Sequence, residues 1–189
     1  MNLIPIAISA ILAVTPATHF ASDDISIMAY EQYENIQKES VKLVSDIILS
    51  PELQQYTFEL CVEYEISFRL LLSVMSLESN FEIDSFNENT NGTVDYGLMQ
   101  INSTNLDWID ELAGKDLDLA VPRDNILAGV LIFDFYRRYW ESKIEGEQEL
   151  IRYTLSSYNM GISGFKKAGY VSRAYDRIIL KNMENFKID

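Results

Sequence analysis

The chain is predicted to be mainly α, one helical domain carrying a single long polar loop and at most a small β element. Two observations support this. Apolar residues recur at helical spacing through most of the chain beyond residue 38, with helix-start signals at the right places. Between Glu82 and Thr93 that spacing gives way to Asn, Asp, Ser and one Gly, which favours a loop. The chain has 189 residues, enough for one domain with a real core and too few for two comfortable ones.

Taken in order, residues 1–21 read as a signal peptide or anchor. The first 22 residues hold no Asp, Glu, Lys or Arg; Leu3 to Val14 is apolar apart from Ser9; Ala17 and Ala21 offer small residues for cleavage. The n-region lacks Lys and Arg, and Pro5 and the short length argue against a membrane span. An uncleaved anchor or a buried N-terminal helix stays open. Residues 22–50 form an N-terminal tether with some helix, since Val41, Val44, Ile47 and Ile48 fall at helical spacing.

Residues 51–189 form the principal domain. Ser50-Pro51 supplies an N-cap followed by proline at the first helical position, predicting a helix to about Glu63. A second helix starts near Ser67 and reaches Ser79. After the polar loop, Val94 to Ile101 is extended or a short strand. Asp124 is a candidate N-cap for a helix from Asn125 to Trp140. Gly146 interrupts, Glu147 to Tyr158 resumes, Gly161 and Gly164 mark a loop, and Val171 to Phe186 is the last helix. The run Phe133 to Trp140 reads as core on one face and solvated on the other.

A net charge of −14 argues against nucleic acid, because phosphate binding relies on clustered Lys and Arg. It argues equally against electrostatic docking on anionic membrane lipid or anionic wall polymers, and suits a neutral or polar substrate. Nearly half the residues are hydrophobic and eleven are Tyr, so the chain is not disordered. Cys61 is alone and reads as a small buried hydrophobe. His19, the only histidine, lies in the leader, so a cleaved protein has no Ser-His or Cys-His catalysis and no ordinary zinc site. No cofactor or metal is expected.

Glu78 is the candidate catalytic group. Met75, Val74 and Leu71 lie three, four and seven residues before it, which places its carboxyl on an apolar stripe in the last helical turn. Desolvation and the negative end of the helix dipole both raise a carboxyl's proton affinity, as a proton donor requires. The local pattern alone equally fits a glutamate turned out to water.

Three blocks decide the matter: Glu78-Ser79-x-Phe81, Gly97-Leu98-Met99-Gln100, and Tyr158-Asn159-x-Gly161. With Asp124-Asn125-Ile126 and Gly129, in this order across roughly residues 67–180, they resemble the lysozyme-like lytic transglycosylases related to goose-type lysozyme. The stretch Asn89 to Asn102 is most similar to the branch serving conjugation, secretion and phage entry. The resemblance implies a peptidoglycan substrate and a single acid/base, Glu78. It implies sugar contacts from Gln100 by hydrogen bonds, Met99 by apolar contact, Asn87 in the subsite loop, and Tyr175 facing the cleft. Tyr158 would orient Glu78 or the substrate acetamido group, and Asn159 would support that corner.

Read for themselves, Met99 and Leu98 fit the core better than a subsite. Gly97 is a backbone requirement that lets the loop approach the active-site helix. Asp95 stabilises the loop, and Ser79 secures the helix end, since no base is present to activate it. Ser157 stands where the family usually has Ala, and Asn87 where many relatives have Ser. Glu82, Asp84 and Glu88 crowd the loop, and one of them positioning a water would favour hydrolysis over the anhydro route. Hydrolytic muramidase, non-catalytic glycan-binding protein and helical adaptor remain the competing readings.

Overall fold

A computed structural model describes residue 44, residues 47–168 and residues 173–186. The expected leader and most of the tether lie outside the described residues.

Helix α1 spans Pro51–Glu63 as expected, with the Ser50 side chain accepting from the Leu53 N–H and proline in the first turn. The helical spacing before it does not continue as a helix, for Ile47 to Leu49 form a bend. Their backbone finds partners elsewhere: the buried Gln54 side chain accepts from Val44 N (2.9 Å) and donates to Val44 O (3.2 Å) and Leu49 O (2.9 Å). One glutamine amide thus satisfies three backbone groups of this segment, both of Val44 and the carbonyl of Leu49.

Helix α2, Phe68–Ser79, ends at Asn80 in the left-handed conformation (φ 52°). Leu71, Val74 and Met75 are fully buried, but so is Leu72, and Leu70 is 3 % exposed. The helix is therefore enclosed on nearly all sides, not striped. Arg69 in its first turn and Leu77 in its last are exposed, and Glu78 lies in that last turn.

The polar insertion folds into three short antiparallel strands, β1 (Phe86–Glu88), β2 (Val94–Tyr96) and β3 (Ile101–Asn102), in that order across the sheet. Strand β1 falls where a loop is expected. Its register pairs Asn87 with Asp95, and Asp95 pairs with Asn102. Paired residues share a face, so these three side chains form one polar row across the sheet. Phe86, Tyr96 and Ile101 form the adjacent row on the other face, with the Phe86 and Tyr96 rings edge to face at 5.5 Å.

Helix α3, Leu106–Ala113, follows a 3-10 turn at Ser103–Asn105. Helix α4 is Pro122–Glu141, so Val121, not Asp124, is its N-cap. Proline's fixed φ suits the first helical position, and Asp124 sits in the first turn, where its charge meets the positive end of the dipole. Asp124 also accepts from Lys115 (3.1 Å) and the Asp118 N–H (3.2 Å).

Helix α5, Glu147–Ala168, is broken at Gly161 (φ 69°, ψ 162°), a conformation essentially reserved for glycine. Gly164 lies within the helical turns after that break, not in a loop. Helix α6, Arg173–Asn182, gives way to a 3-10 turn at Met183–Asn185, shorter than the helix expected to Phe186. Among the described residues no helix is long and apolar enough to cross a membrane.

α2 packs against α1 and α6, and α4 against α5. Leu71, Ile126, Val130, Leu155 and Ile179 belong to one buried cluster. In the aromatic run Phe133 and Trp140 are buried and Phe135 is exposed, as its spacing predicts. The hydroxyl at Ser157 is used internally: Trp140 Nε1 donates to it at 2.8 Å. Cys61 is buried and its thiol is pushed well above the ordinary range by desolvation, which leaves it inert.

Candidate active site

Glu78 opens onto a cleft of about 730 Å³ whose walls are the polar row of the sheet, Gln100, and Tyr158 with Asn159 from α5. The carboxyl's proton affinity is raised. Burial is the largest cause, the charge of Asp95 adds to it, and a hydrogen bond from Tyr175 works against both. Tyr175, from α6, donates its hydroxyl proton to Glu78 Oε1. Its own hydroxyl is pushed up by burial and by the Glu78 charge, so it remains a donor.

The tyrosine bonded to Glu78 is therefore Tyr175 and not Tyr158. Tyr158 instead donates to Met99 O at 2.9 Å, and burial and then the Glu78 charge raise its hydroxyl well above the usual range. Met99 offers the cleft no side chain. It is fully buried, and a Cβ added at Gly129 would lie 2.2 Å from its sulfur, so the glycine makes room for the thioether. What Met99 contributes to this wall is its carbonyl.

Ser79 is buried at the helix end, its hydroxyl between Leu98 O (2.9 Å) and Met75 O (3.1 Å). It joins α2 to the Gly97-to-Gln100 turn. Gly97 has φ +67°, and a Cβ there would lie 2.7 Å from Asn125 Cγ. The close approach is thus to α4, not to the helix of Glu78. Gln100 also has a positive φ (46°), and its amide donates to Gly97 O (2.9 Å) and Ser85 Oγ (3.0 Å). Those bonds fix the side chain in the cleft wall. Asn159 lines the cleft and is exposed.

Asp95 holds the loop, as expected, and its charge also acts on Glu78. Asn102 donates to Asp95 Oδ1 (2.6 Å) and Asn89 to Asp95 Oδ2 (2.9 Å), with Asn87 at 3.5 Å. Glu82, Asp84 and Glu88 are exposed and outside the cleft lining; the second carboxylate in it is Asp95. Asn102 carries a sequence signal, because it closes the Val94-to-Ile101 stretch expected to be extended, while Asn89 lies just past β1 and carries none. Asn125 is marked by its place in the Asp124-Asn125-Ile126 block, which does not reveal its partners. It is fully buried and serves three backbone groups, taking Met99 N–H (2.9 Å) and donating to Tyr96 O (2.7 Å) and Leu119 O (3.1 Å). Among the described residues no cluster of acidic, Cys or His side chains could hold a metal ion.

A mainly α domain with a small sheet, holding in a polar cleft one carboxyl whose proton affinity is raised, fits the class of the lysozyme-like lytic transglycosylases. The chain belongs to the Transglycosylase SLT domain family, which matches residues 55–180. At that level it is a glycan-cleaving domain with peptidoglycan as its substrate class. It is similar to Protein IpgF of Shigella flexneri, 29% identical over 133 residues, covering 65% of this chain and 80% of that protein.

Proposed function

We propose that the protein is an exported lytic transglycosylase that cleaves the β-1,4 bond between N-acetylmuramic acid and N-acetylglucosamine and leaves a 1,6-anhydromuramic end. The Glu78 carboxyl carries this reading, because burial raises its proton affinity toward what a general acid needs at working pH. Glu78 gives its proton to the glycosidic oxygen as the bond to muramyl C1 breaks. The substrate acetamido group stabilises C1. The Glu78 carboxylate then takes the C6 hydroxyl proton as O6 closes onto C1, which restores the acid. A cleft walled by Asn and Gln amides suits the hydroxyls and acetamido groups of a neutral strand. Mass spectrometry of digested sacculi tests the proposal, which expects 1,6-anhydromuropeptides.

Asp95 favours a second reading. It lies in the same cleft, its charge acts on Glu78, and two carboxylates are what a hydrolytic muramidase employs. Reducing-end muramic acid as the sole product would establish that alternative. The apolar leader supports export, and the likeness of Asn89 to Asn102 to the specialised branch supports local wall opening in the service of a secretion, conjugation or phage machine.

Tyr175→Phe separates positioning from chemistry. The Tyr175 hydrogen bond lowers the proton affinity of Glu78, so removing it lets that affinity rise. The pH at which kcat/KM falls on the alkaline side, as Glu78 loses its proton, should move upward. An unmoved profile would show that the hydroxyl does not tune the acid.

A further inference from the structure

The two tryptophans of the chain are used differently. Trp140 is buried, with its N–H on Ser157. Trp108, on α3, is half-buried and its indole N–H has no hydrogen-bond partner among the described residues. The one buried side-chain nitrogen or oxygen without a partner among those residues is Arg137 Nε, so the Trp108 N–H reaches solvent. The Tyr136 hydroxyl likewise has no hydrogen-bond partner among the described residues, and burial raises its proton affinity, so it remains a donor. The Trp108 ring meets Phe135 edge to face at 4.9 Å and lies 6.5 Å from Tyr136. Phe135 is 37 % exposed, and Leu112, one turn beyond Trp108, is 40 % exposed.

This aromatic patch is continuous with the cleft. Tyr136 lines the cleft and touches Trp108, and Asn105, one helical turn before Trp108, lines it too. Apolar ring faces with unspent N–H and O–H donors at their edges match a sugar, which has an apolar C–H face and a polar rim. A flat apolar partner would leave those donors unpaired.

We infer that Trp108, Phe135 and Tyr136 form an outer glycan subsite, which stacks a sugar of the strand beyond those held in the cleft and makes the protein prefer long strands. The inference rests on the glycan-cleaving reading of the cleft and adds a site to it.

The test uses the full chain carrying Glu78→Gln, so that nothing turns over, with short and long chitooligosaccharides as probes. Trp140 is shielded, so a change in tryptophan emission reports Trp108. The long oligomer should bind more tightly than the short one and perturb the emission. Trp108→Ala should weaken long-oligomer binding about tenfold and leave short-oligomer binding unchanged. Phe135→Ala, a more exposed substitution, should act in the same direction and keeps the test alive if Trp108→Ala folds poorly. Unchanged long-oligomer affinity in both variants overturns the outer subsite. If Gln100→Ala then still weakens both oligomers, the cleft reading survives without it. If no oligomer binds before either substitution, both readings fail. Self-association lost on Trp108→Ala with saccharide affinity intact assigns the patch to a second copy of the chain, which also overturns the proposal.

Discussion

Glu78→Gln is expected to lower release of muropeptides from sacculi by about 10²–10⁴-fold or more, the range supplied by a general acid. Its effect on stability should be neutral or favourable. The amide oxygen can still accept from Tyr175, so the one specific bond to this side chain survives. The parent carboxyl, by contrast, holds its proton more tightly in the fold than in the unfolded chain, chiefly through burial. Below the ordinary carboxyl range both states are protonated and the group contributes nothing. As pH rises through that range the unfolded chain releases its proton first. The folded state then binds more protons, so stability falls until pH passes the folded value and stays lower above it. Glutamine does not titrate and avoids that loss. The variant should therefore melt at the same or a higher temperature than the parent at neutral pH, with the difference vanishing below pH of about 4. Paired mass spectrometry and melting curves check both halves. Retained release would remove Glu78 from the chemistry, and a clearly lower melting temperature would show that the carboxylate is structural.

That combination, lost activity with kept or gained stability, is the mark of a group held against its solvation preference. The role of Glu78 came from the motif blocks, since the spacing alone also fits a side chain turned out to water. Its place at a helix end follows from residues three, four and seven positions away, and helical geometry propagates reliably over that distance. The Ser50-Pro51 start was legible for the same reason. Tyr175, Tyr158 and Asn125 were harder. Tyr175 and Tyr158 have partners 97 and 59 residues away, and two of the three partners of Asn125 lie 26 and 29 residues away, so which groups they meet follows mainly from packing and not from local spacing. The sequence motifs brought the right segments together but did not show that Tyr175, and not Tyr158, bonds Glu78. Met99 shows the converse. Its presence in the Gly97-to-Gln100 block was legible, but the direction of its side chain depends on the space Gly129 leaves on a distant helix. The strand β1 was missed because Phe86-Asn87-Glu88 is too short and too polar to alternate visibly. Its pairing with β2 is what makes it a strand.

Asn125→Ala is expected to be the most damaging substitution for the fold of the cleft wall. It removes the acceptor of Met99 N–H and the donor to Tyr96 O and Leu119 O, all on segments that meet at the Gly97 turn. Buried groups stranded in this way cost about 1–3 kcal/mol each, and water reaching part of the space would recover some of that. A net loss of about 3 kcal/mol would lower the melting temperature by about 6–12 °C in a chain of this size. Activity should fall too, because the carbonyl of Met99 holds Tyr158 and the next residue is Gln100; the loss should appear mainly in KM, with Glu78 untouched. Asn125→Asp separates the three bonds. Its carboxylate can still accept from Met99 N–H but presents an oxygen, not a proton, to the two carbonyls, so it should be worse at neutral pH and partly recover in acid. Gly97 supplies the final check. A Cβ at residue 97 meets Asn125 Cγ and Nδ2 at 2.7 Å, and Asn125→Ala takes both atoms away. Gly97→Ala should then be less harmful in the Asn125→Ala background than alone, while the strain of its positive φ remains. Strictly additive losses would mean that the turn and α4 do not depend on this contact, and that Asn125 acts only through its hydrogen bonds.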